Sequence, residues 1–149
     1  MMDSIQQSFT NDHHLCDSLF AEAEASAAQS RWDTAIAKFE CFQQRLAKHI
    51  AQEEGVLFPA LEAQGGTRGG PTQVMRSEHD QMRRLLGQLR SAVEGRDGAT
   101  VLGLSDTLWL LMQQHNLKEE TVLYPMLDRL LCKGDPTLAE ALRLPTHAV

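Results

Sequence analysis

The stretch that decides the fold of this chain occurs twice, as HIAQEEGVLFP at residues 49–59 and as HNLKEETVLYP at residues 115–125. Both copies carry a histidine, a glutamate four residues later and a proline at the end. Residues three or four positions apart lie on the same face of an α-helix, so the histidine and the glutamate of each copy point in one direction. The recurrence predicts two matching helices rather than an isolated ion pair on a helix surface.

The repeat extends over both halves of the chain without a gap when the sequence is shifted by 66 residues. The dipeptide Asp12-His13 then aligns with Glu78-His79, and 36 residues separate that histidine from the histidine of the His-x-x-x-Glu motif in each half. We interpret each half as a helical hairpin with one histidine on its first helix and the motif on its second. Two such hairpins predict an all-α fold, an antiparallel up-down-up-down four-helix bundle with an internal two-hairpin repeat.

Segments rich in Ala, Leu, Gln, Glu and Arg, which favour helices, alternate with glycine-rich turns. We predict four long helices, at about residues 10–28, 31–63, 71–94 and 99–132, and a short helix after Pro136. The first helix is predicted to begin after Thr10 or Asn11, and the second at a capping box formed by Ser30 and Asp33. The last long helix is predicted to stop at Gly134.

Two prolines fall inside the predicted helices. Pro59 lies in the second long helix and Pro125 in the fourth, where each removes a backbone donor and clashes with the preceding turn. Each helix is therefore expected either to kink or to end near its proline.

Length and composition limit the class of protein. A chain of 149 residues, 42% hydrophobic and 23% charged, suits a single domain over residues 1–149, with its core at about 10–132 and a short helix or tail at 133–149. A net charge of −6 argues against partners such as nucleic acid or an anionic membrane. The sequence shows neither a membrane-spanning apolar run nor a secretory signal, and its three cysteines lack a C-x-x-C spacing. We expect a cytoplasmic protein.

The histidines of the repeat lie on apolar helix faces. His13, for example, has Cys16 and Phe20 three and seven residues later, and the other three have apolar residues at the same separations. The pattern directs four imidazoles and two carboxylates into one small core. These candidate ligands are His13, His49, Glu53, His79, His115 and Glu119.

Buried carboxylates and imidazoles need partners, and a cation is the simplest shared partner. Imidazole with carboxylate suits iron, manganese or zinc better than calcium or magnesium. Six ligands exceed the tetrahedral shell of one zinc ion, which favours a two-metal centre with both glutamates bridging. A core of metal-free ion pairs is the alternative. The Glu-x-x-His spacing of ferritin-like bundles and the His-Glu-x-x-His motif of zincins are both absent.

A set of motifs makes a family resemblance visible: Asp12-His13-His14-Leu15-Cys16-Asp17, His49-x-x-x-Glu53-Glu54 with Leu57-Phe58-Pro59, Glu78-His79, and His115-x-x-x-Glu119-Glu120 with Leu123-Tyr124-Pro125. Over about residues 10–132 the chain resembles the hemerythrin-like, His-His-Glu cation-binding domain. The resemblance implies an antiparallel four-helix bundle around two non-haem iron ions (Fe2+/Fe3+) with a bridging oxo or hydroxo group. It implies the ligands His13, His49, Glu53, His79, His115 and Glu119.

One position departs from the oxygen-carrying members, which have a further histidine one turn after the third ligand histidine, where this chain has Arg83. The chain is more similar to the members with four histidines and two glutamates, a group that resembles a domain implicated in the repair of damaged iron–sulfur centres and in nitric-oxide chemistry. The resemblance implies binding, sensing or scavenging of oxygen, nitric oxide or peroxide. An iron-dependent redox enzyme or an iron-donating repair factor is the alternative, so whether the protein is an enzyme stays open.

Several residues beside the ligands have two interpretations. His14 could replace His13 as the first ligand, but the repeat favours His13 because Asp80 occupies the place that matches His14. Asp12 and Glu78 either orient ligand histidines or are exposed acids that stabilise a helix start.

Glu54 and Glu120 are predicted to face solvent or a neighbouring helix rather than to bind metal. Tyr124 is predicted to pack in the core, since Phe58 matches it in the repeat, with a hydrogen bond to a bound oxygen species as the alternative. Cys16 is predicted to act as a small buried hydrophobic residue, with thiol chemistry next to the irons as the alternative.

Overall fold

The computed structural model describes residues 4–65 and 70–141. Within these ranges the chain is helical and contains no strand, which confirms the all-α prediction for this part. The α-helices are α1 (Ile5–Ala28), α2 (Trp32–Gln52), α3 (Phe58–Gly65), α4 (Pro71–Glu94), α5 (Gly98–Lys118), α6 (Tyr124–Cys132) and α7 (Pro136–Ala141). A turn of π-helix joins α2 to α3 (Glu53–Leu57), and another joins α5 to α6 (Glu119–Leu123).

The π-turns explain how helices pass through the two prolines. In the first, the backbone N–H of Phe58 donates to the carbonyl of Glu53, five residues back. Pro59 follows directly and has no N–H to donate, so the wider turn accommodates the lost α-helical bond and the helix continues. The same arrangement precedes Pro125. Neither helix therefore ends at its proline.

The first helix begins earlier than the sequence predicted. The Ser4 hydroxyl accepts a hydrogen bond from the backbone N–H of Gln7 (3.0 Å), and the Gln7 side chain accepts one from the Ser4 N–H (3.2 Å). This is a reciprocal capping box, and it satisfies two donors at the start of α1. The predicted caps Thr10 and Asn11 lie inside the helix, so that prediction was wrong.

The predicted capping box at Ser30 was also wrong. The residue before α2 is Arg31, and its side chain makes no capping hydrogen bond. Ser30 instead adopts a left-handed backbone conformation, with φ of 58°, in the turn that leads out of α1. Its N–H donates to the carbonyl of Ala27 at 3.0 Å.

The remaining boundaries agree with the sequence. Helix α4 begins at Pro71, where the missing N–H removes no helical bond, and α6 ends at Cys132. Gly134 follows with φ of 86°, the left-handed conformation that glycine adopts readily at helix ends. The short helix predicted after Pro136 is α7.

The core consists of two hydrophobic clusters. The larger contains Phe20, Phe42 and Leu108, and the smaller contains Phe9 and Leu57. Helix α1 packs on α2, α5 and α6, and α4 packs on α2 and α5. The candidate ligands separate the two clusters along each helix. No helix in the described ranges is both long and apolar enough to span a membrane.

Candidate metal centre

The structure brings all six candidate ligands together in the interior. They form two groups in which one nitrogen or oxygen atom of every residue lies within 4.8 Å of those of the others. The groups are His13, His49, Glu53 and Glu119, and Glu53, His79, His115 and Glu119. Every member is at most 3% exposed. Both glutamates belong to both groups, so the site has two halves with shared carboxylates.

Each shared glutamate reaches one histidine of each group with a different oxygen. Glu53 places Oε2 3.3 Å from His49 Nε2 and Oε1 3.1 Å from His79 Nε2. Glu119 places Oε1 3.0 Å from His13 Nε2 and Oε2 3.1 Å from His115 Nε2. Two oxygens of one carboxylate that face two separate groups have the arrangement of a bridging ligand.

Two outer carboxylates hold histidines within a hairpin. His49 Nδ1 donates to Asp12 Oδ2 at 2.8 Å, and His115 Nδ1 donates to Glu78 Oε1 at 2.9 Å. These contacts support the interpretation that Asp12 and Glu78 orient ligand histidines, although each orients the histidine of the opposite helix rather than its own neighbour. An Nδ1–H held in this way leaves the Nε2 lone pair directed into the site.

Two further outer carboxylates hold histidines across the hairpins. His79 Nδ1 donates to Glu54 Oε2 at 2.8 Å, and His13 Nδ1 donates to Glu120 Oε2 at 2.7 Å. Glu54 and Glu120 therefore face a neighbouring helix, one of the two placements predicted for them. The sequence did not predict that they bind the histidines of the other hairpin.

Basic side chains neutralise three of the outer carboxylates. The pairs are Arg45 with Asp12 (2.7 Å), Arg83 with Glu54 (2.6 Å) and Lys118 with Glu78. Burial tends to raise the pKa of each carboxylate, but hydrogen bonds from these cations and from the histidines outweigh it and lower the pKa. The outer carboxylates are therefore ionised at neutral pH. Arg83 thus holds Glu54, which in turn holds His79.

The interior of the site contains more hydrogen-bond acceptors than donors. Within the described residues, Glu53 Oε1 and Glu119 Oε2 are buried without a hydrogen-bond partner. The Nε2 atoms of His79 and His115 lie 3.1 Å apart, although both rings already donate through Nδ1. Lone pairs that face each other repel unless a proton or a metal ion lies between them. The nitrogen and oxygen donors present fit a pair of transition-metal ions.

When no metal is bound, protons on the histidines separate the facing lone pairs. Burial opposes a charge on His49, but Glu53 and Asp12 outweigh it and raise its pKa to about 10. For His115 burial is likewise outweighed, chiefly by Glu119, and the pKa rises to about 9. Metal ions compete with such protons for the same lone pairs.

Tyr124 combines the predicted core packing with a hydroxyl group in the site, but the sequence did not predict the carboxylates that this hydroxyl contacts. Its ring packs on Phe9, with centroids 5.5 Å apart, as a core residue would. Its hydroxyl, however, lies 2.6 Å from Glu53 Oε2 and 3.0 Å from Glu119 Oε1. Burial, followed by the two carboxylates, raises the pKa of Tyr124 well above its usual value. The matching residue, Phe58, lacks the hydroxyl, so the repeat gave no sign of it.

Comparison with protein families identifies the chain. A family model described as the hemerythrin HHE cation binding domain matches residues 4–127. The chain belongs to the hemerythrin family. In the corresponding comparisons no curated protein and no solved structure matched the chain. Cation binding by hemerythrin domains agrees with the two groups of histidine and glutamate described above.

A small cavity adjoins the centre of this hemerythrin domain. It measures about 10 Å³, and its lining includes all four histidines together with the apolar side chains of Leu46, Ile50, Met82 and Met112. That volume is comparable to the space one water molecule needs. The cavity therefore admits only very small molecules.

Two further residues of the hemerythrin motif have plain roles. His13 is buried in the cluster while His14 is exposed, as the repeat predicts. Cys16 is buried, and burial, reinforced by Asp12, raises the pKa of its thiol to about 12. A thiol that stays protonated is a poor nucleophile and a poor ligand, so Cys16 acts as a small hydrophobic residue.

Proposed function

We propose that this hemerythrin domain binds a pair of iron ions and uses them to bind, sense or scavenge a small ligand: oxygen, nitric oxide or peroxide. His13 and His49 would hold one ion and His79 and His115 the other. Glu53 and Glu119 would bridge them. The observation that carries the proposal is that both glutamates belong to both groups of possible ligands.

The proposal includes the arrangement of the helices as a single antiparallel four-helix domain. The short connections at residues 29–31 and 95–97 join α1 to α2 and α4 to α5, and the joined helices pack on each other. Consecutive helices with such short connections run antiparallel. The three free cysteines support the placement of the protein in the cytoplasm.

Iron is the proposed metal because the donors mix imidazole with carboxylate and the chain belongs to the hemerythrin family. Manganese and zinc suit the same donors, so metal analysis has to decide between them. A bound iron pair supplies redox-active ions that take up oxygen, nitric oxide or peroxide. The protein contributes the bridging carboxylates, the orientation of the imidazoles and the exclusion of bulk water.

The size of the ligand follows from the surroundings of the centre. The proposed ligand residues are buried, and the adjoining cavity of about 10 Å³ is enclosed by the four histidines together with apolar side chains such as those of Leu46 and Met82. Such a space favours a diatomic molecule or peroxide over any larger substrate. The same burial opposes the release of iron to a partner protein, which weighs against an iron-donating repair factor.

The experiment that tests the proposal is metal analysis of protein purified without oxygen, with absorption spectra before and after addition of oxygen or nitric oxide. We expect two irons per chain and a spectral change with at least one of the two gases. His13→Ala should lower the iron content, whereas the neighbouring exposed variant His14→Ala should retain two irons. Less than one iron per chain in the unmodified protein after iron-replete expression would refute the proposal.

A further inference from the structure

We propose that Tyr124 is a seventh ligand of the metal centre and that its phenol oxygen binds the ion held by His13 and His49. The inference rests on the proposed function, because it requires a metal in that half of the site. It adds a ligand outside the six residues that the repeat supplies.

The phenol oxygen lies among the donor atoms of one group. Tyr124 Oη is 2.6 Å from Glu53 Oε2, 3.0 Å from Glu119 Oε1, 3.1 Å from His13 Nε2 and 3.4 Å from His49 Nε2. These are the four members of the group, and Oη is within 3.4 Å of each. No residue intervenes, because each distance joins Oη directly to a candidate ligand atom.

Three of these four distances are those between ligands of one ion, and the 2.6 Å between Oη and Glu53 Oε2 is that of a short hydrogen bond. Donor atoms at about 2.1 Å from a shared ion are about 3.0 Å apart when they subtend a right angle and about 3.4 Å apart at tetrahedral angles. The group already shows such spacings, with 3.0 Å between His13 Nε2 and Glu119 Oε1 and 3.3 Å between His49 Nε2 and Glu53 Oε2. The oxygen of Tyr124 therefore lies where a fifth donor of the same ion would lie.

Hydrogen bonds to neutral histidines do not account for the position of this oxygen. A phenol has one proton, which the short distance assigns to Glu53. When His13 and His49 are neutral, as metal ligands are, their Nε2 atoms carry lone pairs, since both rings donate through Nδ1. The phenol oxygen then faces these lone pairs in a buried site, and such contacts are unfavourable. A metal ion that replaces the protons of the metal-free site makes all of the contacts favourable.

The proposed ligand makes the two halves of the centre unequal. Phe58 occupies the place that matches Tyr124 in the repeat, and its ring stacks on His79 with centroids 5.6 Å apart and an interplanar angle of 14°. The Phe58 side chain has no atom that could bind a metal ion. The ion of His79 and His115 thus has one protein ligand fewer and keeps more room for a small molecule.

Resonance Raman spectroscopy of the iron-loaded protein, oxidised with ferricyanide, tests the inference. A phenolate bound to ferric iron gives a visible charge-transfer band and enhanced phenolate vibrations. The metal–oxygen bond forms as the O–H bond breaks, and the proton passes to the solvent. Because the chain has a single tyrosine, any such signal comes from Tyr124. We expect the band and the vibrations, and we expect growth on ring-deuterated tyrosine to shift the vibrations.

Two variants accompany the measurement. Tyr124→Phe keeps the ring that packs on Phe9 and should lose the signal completely, and Phe58→Leu, at the matching place, should keep it. Unmodified protein that holds two irons without phenolate vibrations would overturn the inference and leave the proposed function intact. Unmodified protein that binds no iron would overturn both. The isotope shift in unmodified protein decides the matter even if a variant fails to fold.

Discussion

Replacement of Glu120 by glutamine should weaken one of the two metal sites and leave the fold intact. Glu120 accepts a hydrogen bond from His13 Nδ1 at 2.7 Å, and this bond is the largest cause of the lowered pKa of its carboxyl group. Its side chain is 26% exposed, so the substitution creates no cavity in the core.

The expected magnitude follows from what the substitution removes. The glutamine oxygen still accepts from Nδ1, so the imidazole of His13 keeps its orientation and loses only the neighbouring negative charge. Loss of a carboxylate behind a ligand histidine costs roughly 10- to 100-fold in metal affinity. We expect about 10-fold for Glu120→Gln, equivalent to about 1.4 kcal/mol. Glu120→Ala also removes the acceptor and should approach about 100-fold.

The assay is anaerobic titration with Fe2+ against a chelator, which yields two dissociation constants. Glu120→Gln should raise one constant. Glu54→Gln, the matching change beside His79, should raise one constant by a similar factor, and the double variant should raise both. Glu22→Gln, which alters an exposed pair with Lys38, is the control and should change neither. If Glu120→Gln leaves both constants equal to those of this control, the role assigned to the outer carboxylates is wrong.

Three further predictions concern stability. In metal-free protein the pKa values of His49 (about 10) and His115 (about 9) exceed the value of about 6.5 in the unfolded chain. The protonated histidines therefore stabilise the fold fully below about pH 6.5, and this contribution disappears as the pH rises through 9 to 10. The free energy of unfolding in urea should fall over that range, and a flat profile would contradict this. Ser4→Ala removes the cap of α1 and should cost about 1 kcal/mol by the same assay, whereas exposed Ser18→Ala should cost nothing. Gly134→Ala places a Cβ at φ of 86° and should cost about 1 kcal/mol; an unchanged melting temperature would argue against strain there.

The sequence predicted the position of the six candidate ligands because their spacing carries the geometry. A histidine and a glutamate four residues apart share a helix face, and the 66-residue repeat places two such faces in equivalent positions. The apolar neighbours of each histidine then show that the face is buried. Such information is local to each helix, so a single sequence suffices to predict it.

The partners of the histidines depend on packing between helices and could be predicted only in part. Glu54 follows the candidate ligand Glu53 and points about 100° away from it on an ideal helix. The residue it meets depends on which helix lies alongside, and the π-turn at Glu53–Leu57 changes the local direction further. Its contact with His79 crosses from one hairpin to the other, which no pattern within one helix encodes.

Two other features were missed because a more conspicuous signal pointed elsewhere. The alignment of Tyr124 with Phe58 predicted a shared position correctly but gave no information on the phenol oxygen, whose direction depends on the buried acceptors around it. At the start of the chain, Thr10 and Asn11 are good capping residues beside the motif. The helix nevertheless begins at Ser4, where Gln7 completes the capping box.

An anomalous-scattering map, measured at the iron absorption edge on crystals of protein loaded with iron, tests the central claim most directly. We expect two peaks in each chain. One should lie within bonding distance of His13 and His49 and the other of His79 and His115, with Glu53 and Glu119 between them. A single peak, or peaks away from these residues, would contradict a carboxylate-bridged pair of irons.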